Sequence, residues 1–264
     1  PLKNVIDSKR RTLEISTYVG SLLIIPIIII MVANTIYTDY FMMFIGPASI
    51  LYLLYEMRTL TAVENKKLFA ALIFIIFSIF FWAFFEQSGG SLSLFAANNL
   101  NDEILGIHLS PNGVNNSANS LFVIAFAALV GLVWLWMAKR KIEPNTVIKF
   151  GLAFVFLAGG FWVFYNTQFF ADSIGKTSLG IFTFGWLVIT FGELCLSPIG
   201  MSAMTKLSPQ KTQAVIMGMW FLASAYGQYF AGLLGANIAK ASKNASNLEK
   251  LNVYADGYYQ LGIY

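Results

Sequence analysis

A carboxylate sits inside a long run of apolar and small residues: Glu193 in TFGELCLSPIGMSAMTKLSP, residues 190–209. An ionised carboxylate among apolar side chains is costly, so such a residue is turned toward a bundle interior, a water cavity, a cationic partner or a substrate. There it can hold either a proton or a cation, a switch suited to moving a solute; the plainer alternative is polarity that only packs helices. Ser197 follows four residues later on the same helical face, with Gly200 close to the same stripe. Pro198 offers no N–H to the carbonyl of Leu194, which is left for water, a neighbouring helix or a ligand. It marks a helix kink, either one that lines a site or one that only packs. Cys195 reads as a small packing residue.

A second constellation lies in FFWAFFEQSGGSLSLFA, residues 80–96. Trp82, Phe85, Glu86 and Gly89 recur at spacings of three or four, so a ring pair and a carboxylate can line one helical face. The rings can pack a ligand's apolar part while Glu86 pairs with a cation; equally, aromatic residues in such a chain face lipid or core. Gln87 can bond across helices. Asn119 and Ser120 open a further apolar run, where Asn119 reads first as a helix cap and alternatively as a hydrogen-bonding contact for a polar substrate. Trp220 faces a cavity or lipid, and Gly227, Ala231 and Gly235 at four-residue intervals form a stripe for close helix packing.

Other chemistries find little support. His108 reads as an ordinary loop residue, and no second His or Cys accompanies it in a metal-binding pattern. The single Cys195 excludes a disulfide within these residues. No phosphate-binding glycine loop, Ser/His/Asp set or H-E-x-x-H motif is present, so neither ATP-driven pumping nor hydrolysis is indicated. The chain reads as no enzyme, with no metal and no cofactor.

The elements that must position these residues are membrane helices. The 264 residues are 57% hydrophobic and only 11% charged, with mean hydropathy +0.67, against roughly 25% charged in soluble proteins. Apolar runs long enough to cross are Tyr18 to Tyr37, Leu68 to Gly89 with extension toward Ala97, Leu121 to Ala138, Val147 to Phe170, Leu179 to Thr205 and Ala214 to Ala239. Tyr40 to Tyr55 is shorter, and Tyr258 opens another. Such unbroken runs are helices and not the alternating strands of a barrel. Asn98 to Ser120, with NGVNNS, reads as an exposed polar loop. The formal charge of +4 is spread over the links rather than gathered on a nucleic-acid face. Lys3, Lys9, Arg10, Arg11, Arg58, Lys66, Lys67, Lys139, Arg140, Lys141 and Lys149 occupy alternate links, which places the start of the chain in the cytoplasm. Lys240, Lys243 and Lys250, in a link external by this count, break the pattern.

Taken in order, FFWAFFEQSGGSLSLFA, NSANSLF, GELCLSPIGMSAMTKLSP and MGMWFLASAYGQYFAG resemble the proton-dependent oligopeptide transporter (POT) family. The resemblance implies an all-α polytopic membrane protein of the major facilitator superfamily. Residues 1–67 would be a cytoplasmic linker and an extra transmembrane helix pair, and 68–264 the C-terminal transporter bundle with its last helix only begun. It also implies that Glu193 contacts a peptide's free amino terminus with Ser197 alongside, and that Asn119 bonds the peptide backbone, displacing the cap reading. Trp82, Phe85 and Trp220 would be aromatic walls, and Glu86 a gating charge-pair or substrate contact. Many members carry proline after that asparagine, where this chain has Ser120. The implied activity is symport of di- and tripeptides with protons as the coupling ion, by alternating access, in a bacterial inner membrane. The implied partner is an N-terminal six-helix half carrying an E-x-x-E-R motif and basic residues for the peptide carboxylate; the opening at Pro1, without methionine, agrees with a partial sequence. A related carrier for nitrate or another small solute, and a receptor or scaffold without transport, are the competing readings.

Overall fold

The computed structural model describes residues 7–238 and 245–264, so Lys3, Lys240, Lys243 and the end of the Ala214 to Ala239 run lie outside the described residues. It divides into two compact units, 1–58 and 59–264. The first holds α1 (Asp7–Ala33) and α2 (Thr35–Glu56). The chain turns at Asn34, whose side chain accepts a 3.2 Å bond from the Ile36 amide and restarts the helix at once. The first run therefore ends before Tyr37, and the short Tyr40 to Tyr55 segment belongs to a 22-residue helix. Both helices continue through internal prolines, Pro26 and Pro47.

The second unit comprises α3 (Ala62–Phe85), α4 (Ser91–Asn99), α5 (Pro111–Lys139), α6 (Thr146–Asn166), α7 (Leu179–Leu207), α8 (Gln213–Ile238) and α9 (Asn247–Ile263). A small hairpin, β1 (Glu103–Ile104) with β2 (Ile107–His108), joins α4 to α5. Thr61 and Glu64 cap each other's backbone amides reciprocally, starting α3 at Ala62. This puts 62–67 with the bundle, where the sequence reading had placed them in the linker. Six helical stretches among the described residues are long and apolar enough to cross a membrane: Lys9–Ala33, Thr35–Thr59, Ala62–Asn99, Pro111–Lys139, Thr146–Phe170 and Leu179–Leu207. α8, expected as a span, has the length but is not among the six; its middle carries Ser224, Tyr226, Gln228 and Tyr229.

Three expected boundaries move for identifiable reasons. The Leu68 to Gly89 run does not extend smoothly toward Ala97: a 3-10 turn, Glu86–Gly89, separates α3 from α4. The polar NGVNNS stretch is helix and not loop, because Ser110 caps α5, Pro111 sits at its first position and Asn115 is buried against the bundle. Asn119 consequently lies well inside α5 and caps nothing. At the chain's end, a capping box of Ser246 and Glu249 starts α9 at Asn247, so residues 247–256 are helical where a link had been expected.

Packing follows the small residues. α3 and α8 meet where Gly227 lies against Trp82 and Ala83; a β-carbon on Gly227 would overlap that of Trp82. One and two turns on, the Ala231 carbonyl accepts 3.2 Å from Gln87 Nε2, and Gly235 faces Gly90. At the end of the bundle where α4 stops, the buried Asn99 donates to the carbonyls of Asn247 (2.7 Å) and Gly175 (2.9 Å), while Leu100 bridges Thr177. Gly175 has φ +80°, and a β-carbon there would overlap the backbone of Asn247 and Leu248, which excludes a side chain.

Gly227→Leu is expected to force α3 from α8 and cost about 1–3 kcal/mol, read as a lower unfolding midpoint in detergent. Asn99→Ala is expected to cost about 1–3 kcal/mol by orphaning two carbonyls. Hydrogen exchange should then speed up at the amides of Asn101 and Thr177; unchanged exchange there would exclude the clamp.

Candidate functional site

α7 carries Thr190 and Glu193 three residues apart, so both face the same neighbour. That neighbour is α5. Asn119 Nδ2 donates to Glu193 Oε2 at 2.8 Å and to Thr190 Oγ1 at 3.2 Å, using both amide hydrogens. The Thr190 hydroxyl spends its own proton on the Trp186 carbonyl at 2.7 Å, which leaves its oxygen free to accept. Glu193 and Asn119 are half-buried and Thr190 is fully buried. Ser197 is half-buried one turn beyond Glu193, and α7 runs unbroken through Pro198, which is exposed.

The second carboxylate stands at the helix break. Glu86 opens the 3-10 turn after α3, half-buried, and its Oε1 accepts from Gln228 Nε2 on α8 at 3.3 Å. Because α3 ends at Phe85, the face expected to run through Gly89 stops there; Gly89 is exposed with open space beside it. Trp82 and Phe85 meet edge to face at 5.1 Å between centroids. Phe85 is only 7% exposed, enclosed by Phe81, Trp82 and Trp186, so it supports the wall that half-buried Trp82 presents. The ring contact of Phe85 with Trp186 links this element to α7 one turn before Thr190.

Trp220 sits apart from this group. Its indole covers Gly200, two turns along α7 from Glu193, with an edge contact to Phe150 at 6.2 Å, and it is 4% exposed. It is thus a packing side chain in this conformation.

Several site residues escaped the sequence reading. Gln228 donates to Glu86 and Thr190 anchors the amide that donates to Glu193, yet each is an ordinary polar residue within a helix; the three-residue offset of Thr190 from Glu193 was the available signal. Lys149, counted as one of a cytoplasmic cluster, is 7% exposed: its ammonium bonds Glu143 and stands 4.6 Å over the Trp134 ring. Among the described residues neither Glu86 nor Glu193 forms an ion pair, unlike Lys149 with Glu143.

Residues 26–252 match the POT family. The peptide transporter YePEPT of Yersinia enterocolitica subsp. palearctica is 33% identical over 220 residues, which are 81% of this chain and 42% of that protein. Dipeptide and tripeptide permease A of Erwinia pyrifoliae is 29% identical over 209 residues, 79% of this chain and 42% of the permease. A crystal structure of a peptide transporter POT in complex with sulfate superimposes with a TM-score of 0.65 at 25% identity, over 98% of this chain and 52% of the other. The chain spans about half the length of the proteins it matches, and its fold is half of an all-α, polytopic transporter of the major facilitator type with an additional helix pair. With the match running from α1 into α9, the chain belongs to the POT family.

Proposed function

We propose that this chain is the C-terminal half of a carrier that brings di- and tripeptides into the cytoplasm together with protons. The observation that carries the reading is the Asn119–Glu193 pair: a half-buried carboxylate bonded to a neutral amide and left without a cation. A carboxylate so placed is completed either by a proton or by an ammonium group, and a peptide's amino terminus supplies the second. The amide oxygen of Asn119 can then accept from the peptide N–H beside that ammonium. Trp82 offers an apolar surface tolerant of many side chains. An anion such as nitrate has no comparable welcome beside Glu193.

The peptide carboxylate needs a cation that this site lacks, and the residues that would supply it belong to an N-terminal six-helix half, together with the E-x-x-E-R proton relay. Support for such a partner comes from length, since the chain covers 42% of the Yersinia peptide transporter and 52% of the superimposed POT structure. The two halves would enclose the peptide near the membrane midplane and rock about it, so that the site opens to one side at a time. No covalent step is required, as in a secondary transporter.

The helix ends support an orientation. Lys9 to Arg11, Arg58, Lys66, Lys67, Lys139 to Lys141, Lys206 and Lys211 fall in one alternating set of links, against Lys176 in residues 167–178 and Lys240, Lys243 and Lys250 beyond α8 in the other. The positive-inside rule then puts the first set in the cytoplasm of a bacterial inner membrane.

Uptake of a labelled dipeptide into proteoliposomes, with the chain joined to its N-terminal half, tests the proposal. Glu193→Gln should reduce gradient-driven uptake roughly tenfold or more, the scale of a lost charged hydrogen bond. Asn119→Ala should raise KM about threefold to tenfold. Folded wild-type protein that takes up none of several dipeptides would exclude peptide carriage, and full activity in Glu193→Gln would remove that carboxylate from the site.

A further inference from the structure

Asn115 has no role in the site as described. It is 1% exposed on α5, four residues before Asn119, so the two amides lie on one stripe of the helix. Asn115 Nδ2 donates at 2.9 Å to the carbonyl of Ser88, inside the 3-10 turn that begins with Glu86. One turn away on the same stripe, Asn119 donates to Glu193 on α7. A single face of α5 therefore grips both the helix break that bears one carboxylate and the other carboxylate itself.

Packing alone does not account for this residue. Asn115 Oδ1 is buried with no hydrogen-bond partner, an unfavourable arrangement that an apolar side chain of similar size would avoid. What an apolar side chain would forfeit is the bond to Ser88. That carbonyl lies in the break between α3 and α4, and in a membrane interior it needs a donor.

We propose that Asn115 is a positioning residue that couples the Glu86 turn to the Glu193 site through α5. A shift of the turn, as when Glu86 exchanges Gln228 for another partner, pulls on Asn115 and so displaces Asn119 against Glu193. The inference rests on the reading of Glu193 as the contact for a peptide amine. Two carboxylates in one bundle can also act on one another directly through space. The path through α5 is separate, and it alone depends on the Asn115 amide.

A thermodynamic cycle tells the two paths apart. Dipeptide Kd is measured by titration calorimetry on the complete transporter as wild type, Glu86→Gln, Asn115→Leu and the double variant. Asn115→Ser, too short to reach Ser88, is run beside Asn115→Leu so that a folding defect peculiar to one replacement does not decide the result. Glu86→Gln is expected to change Kd about fivefold when Asn115 is present and less than about twofold in either Asn115 background. The same factor in all backgrounds would reduce the coupling to charge through space and overturn the proposal, as would a Kd indifferent to Glu86→Gln in the wild type. Folded wild-type protein that binds no dipeptide would overturn the peptide reading itself, and this inference with it.

Discussion

A helix that stops inside a membrane releases backbone donors and acceptors where no water can take them, and much of this bundle is arranged around one such stop. At Glu86–Gly89 the chain leaves α3 and restarts as α4. Gln87, with no exposed surface, donates to Ala83 and Ala231 carbonyls and accepts from Ser91. Asn115, on α5, donates to the Ser88 carbonyl. For α8 to present its Ala231 carbonyl to Gln87, the two backbones must come close, and Gly227 and Gly235 permit that. The small-residue stripe, the buried amide and the break are thus parts of one requirement. Its outcome is a carboxylate at a helix end, where Gln228 can reach it.

The spans and the two carboxylates could be read from residue types, because long apolar runs have few alternatives and a charge inside one stands out. Glu193 and Asn119 do come together, although the amide's first reading as a cap failed. NGVNNS is made of turn formers, and that local preference was overridden by Ser110 capping, by Pro111 and by burial of Asn115. Trp220 and Phe85 show a different limit. Period and type assign an aromatic residue to a face, but the neighbour behind that face decides whether it lines a space or fills one, and here Gly200 and Trp186 lie behind them. Thr190 and Gln228 were invisible because their importance lies in what stands opposite them. Lys149 misled because a lysine near a helix end suggests solvent until Glu143 and Trp134 fold back over it.

Charge is distributed unevenly within the bundle. The buried cation, Lys149, is already matched by Glu143, while Glu86 and Glu193 hold only neutral amide donors. A neutral donor steadies a carboxylate without cancelling its charge, so both groups retain an appetite for a proton or a cation. The amides are also weak enough competitors to be displaced. Under the proposed function these amides give way to a proton or an amine, whereas a lysine or arginine at about 3 Å would hold each carboxylate in a permanent ion pair.

The contact between Gly227 and Trp82 ties selectivity to architecture. The indole proposed as a wall for the peptide is carried by the same β-carbon against which α8 is seated. Trimming Trp82 to enlarge the space for a bulky substrate would leave the backbone contact intact but remove the ring that meets Phe85 edge to face, so the wall would slacken as it widened. Tuning the residue from the other helix is closed off, since position 227 has no room for any side chain. Engineering of substrate range at this wall would have to treat positions 82, 85 and 227 as a single variable.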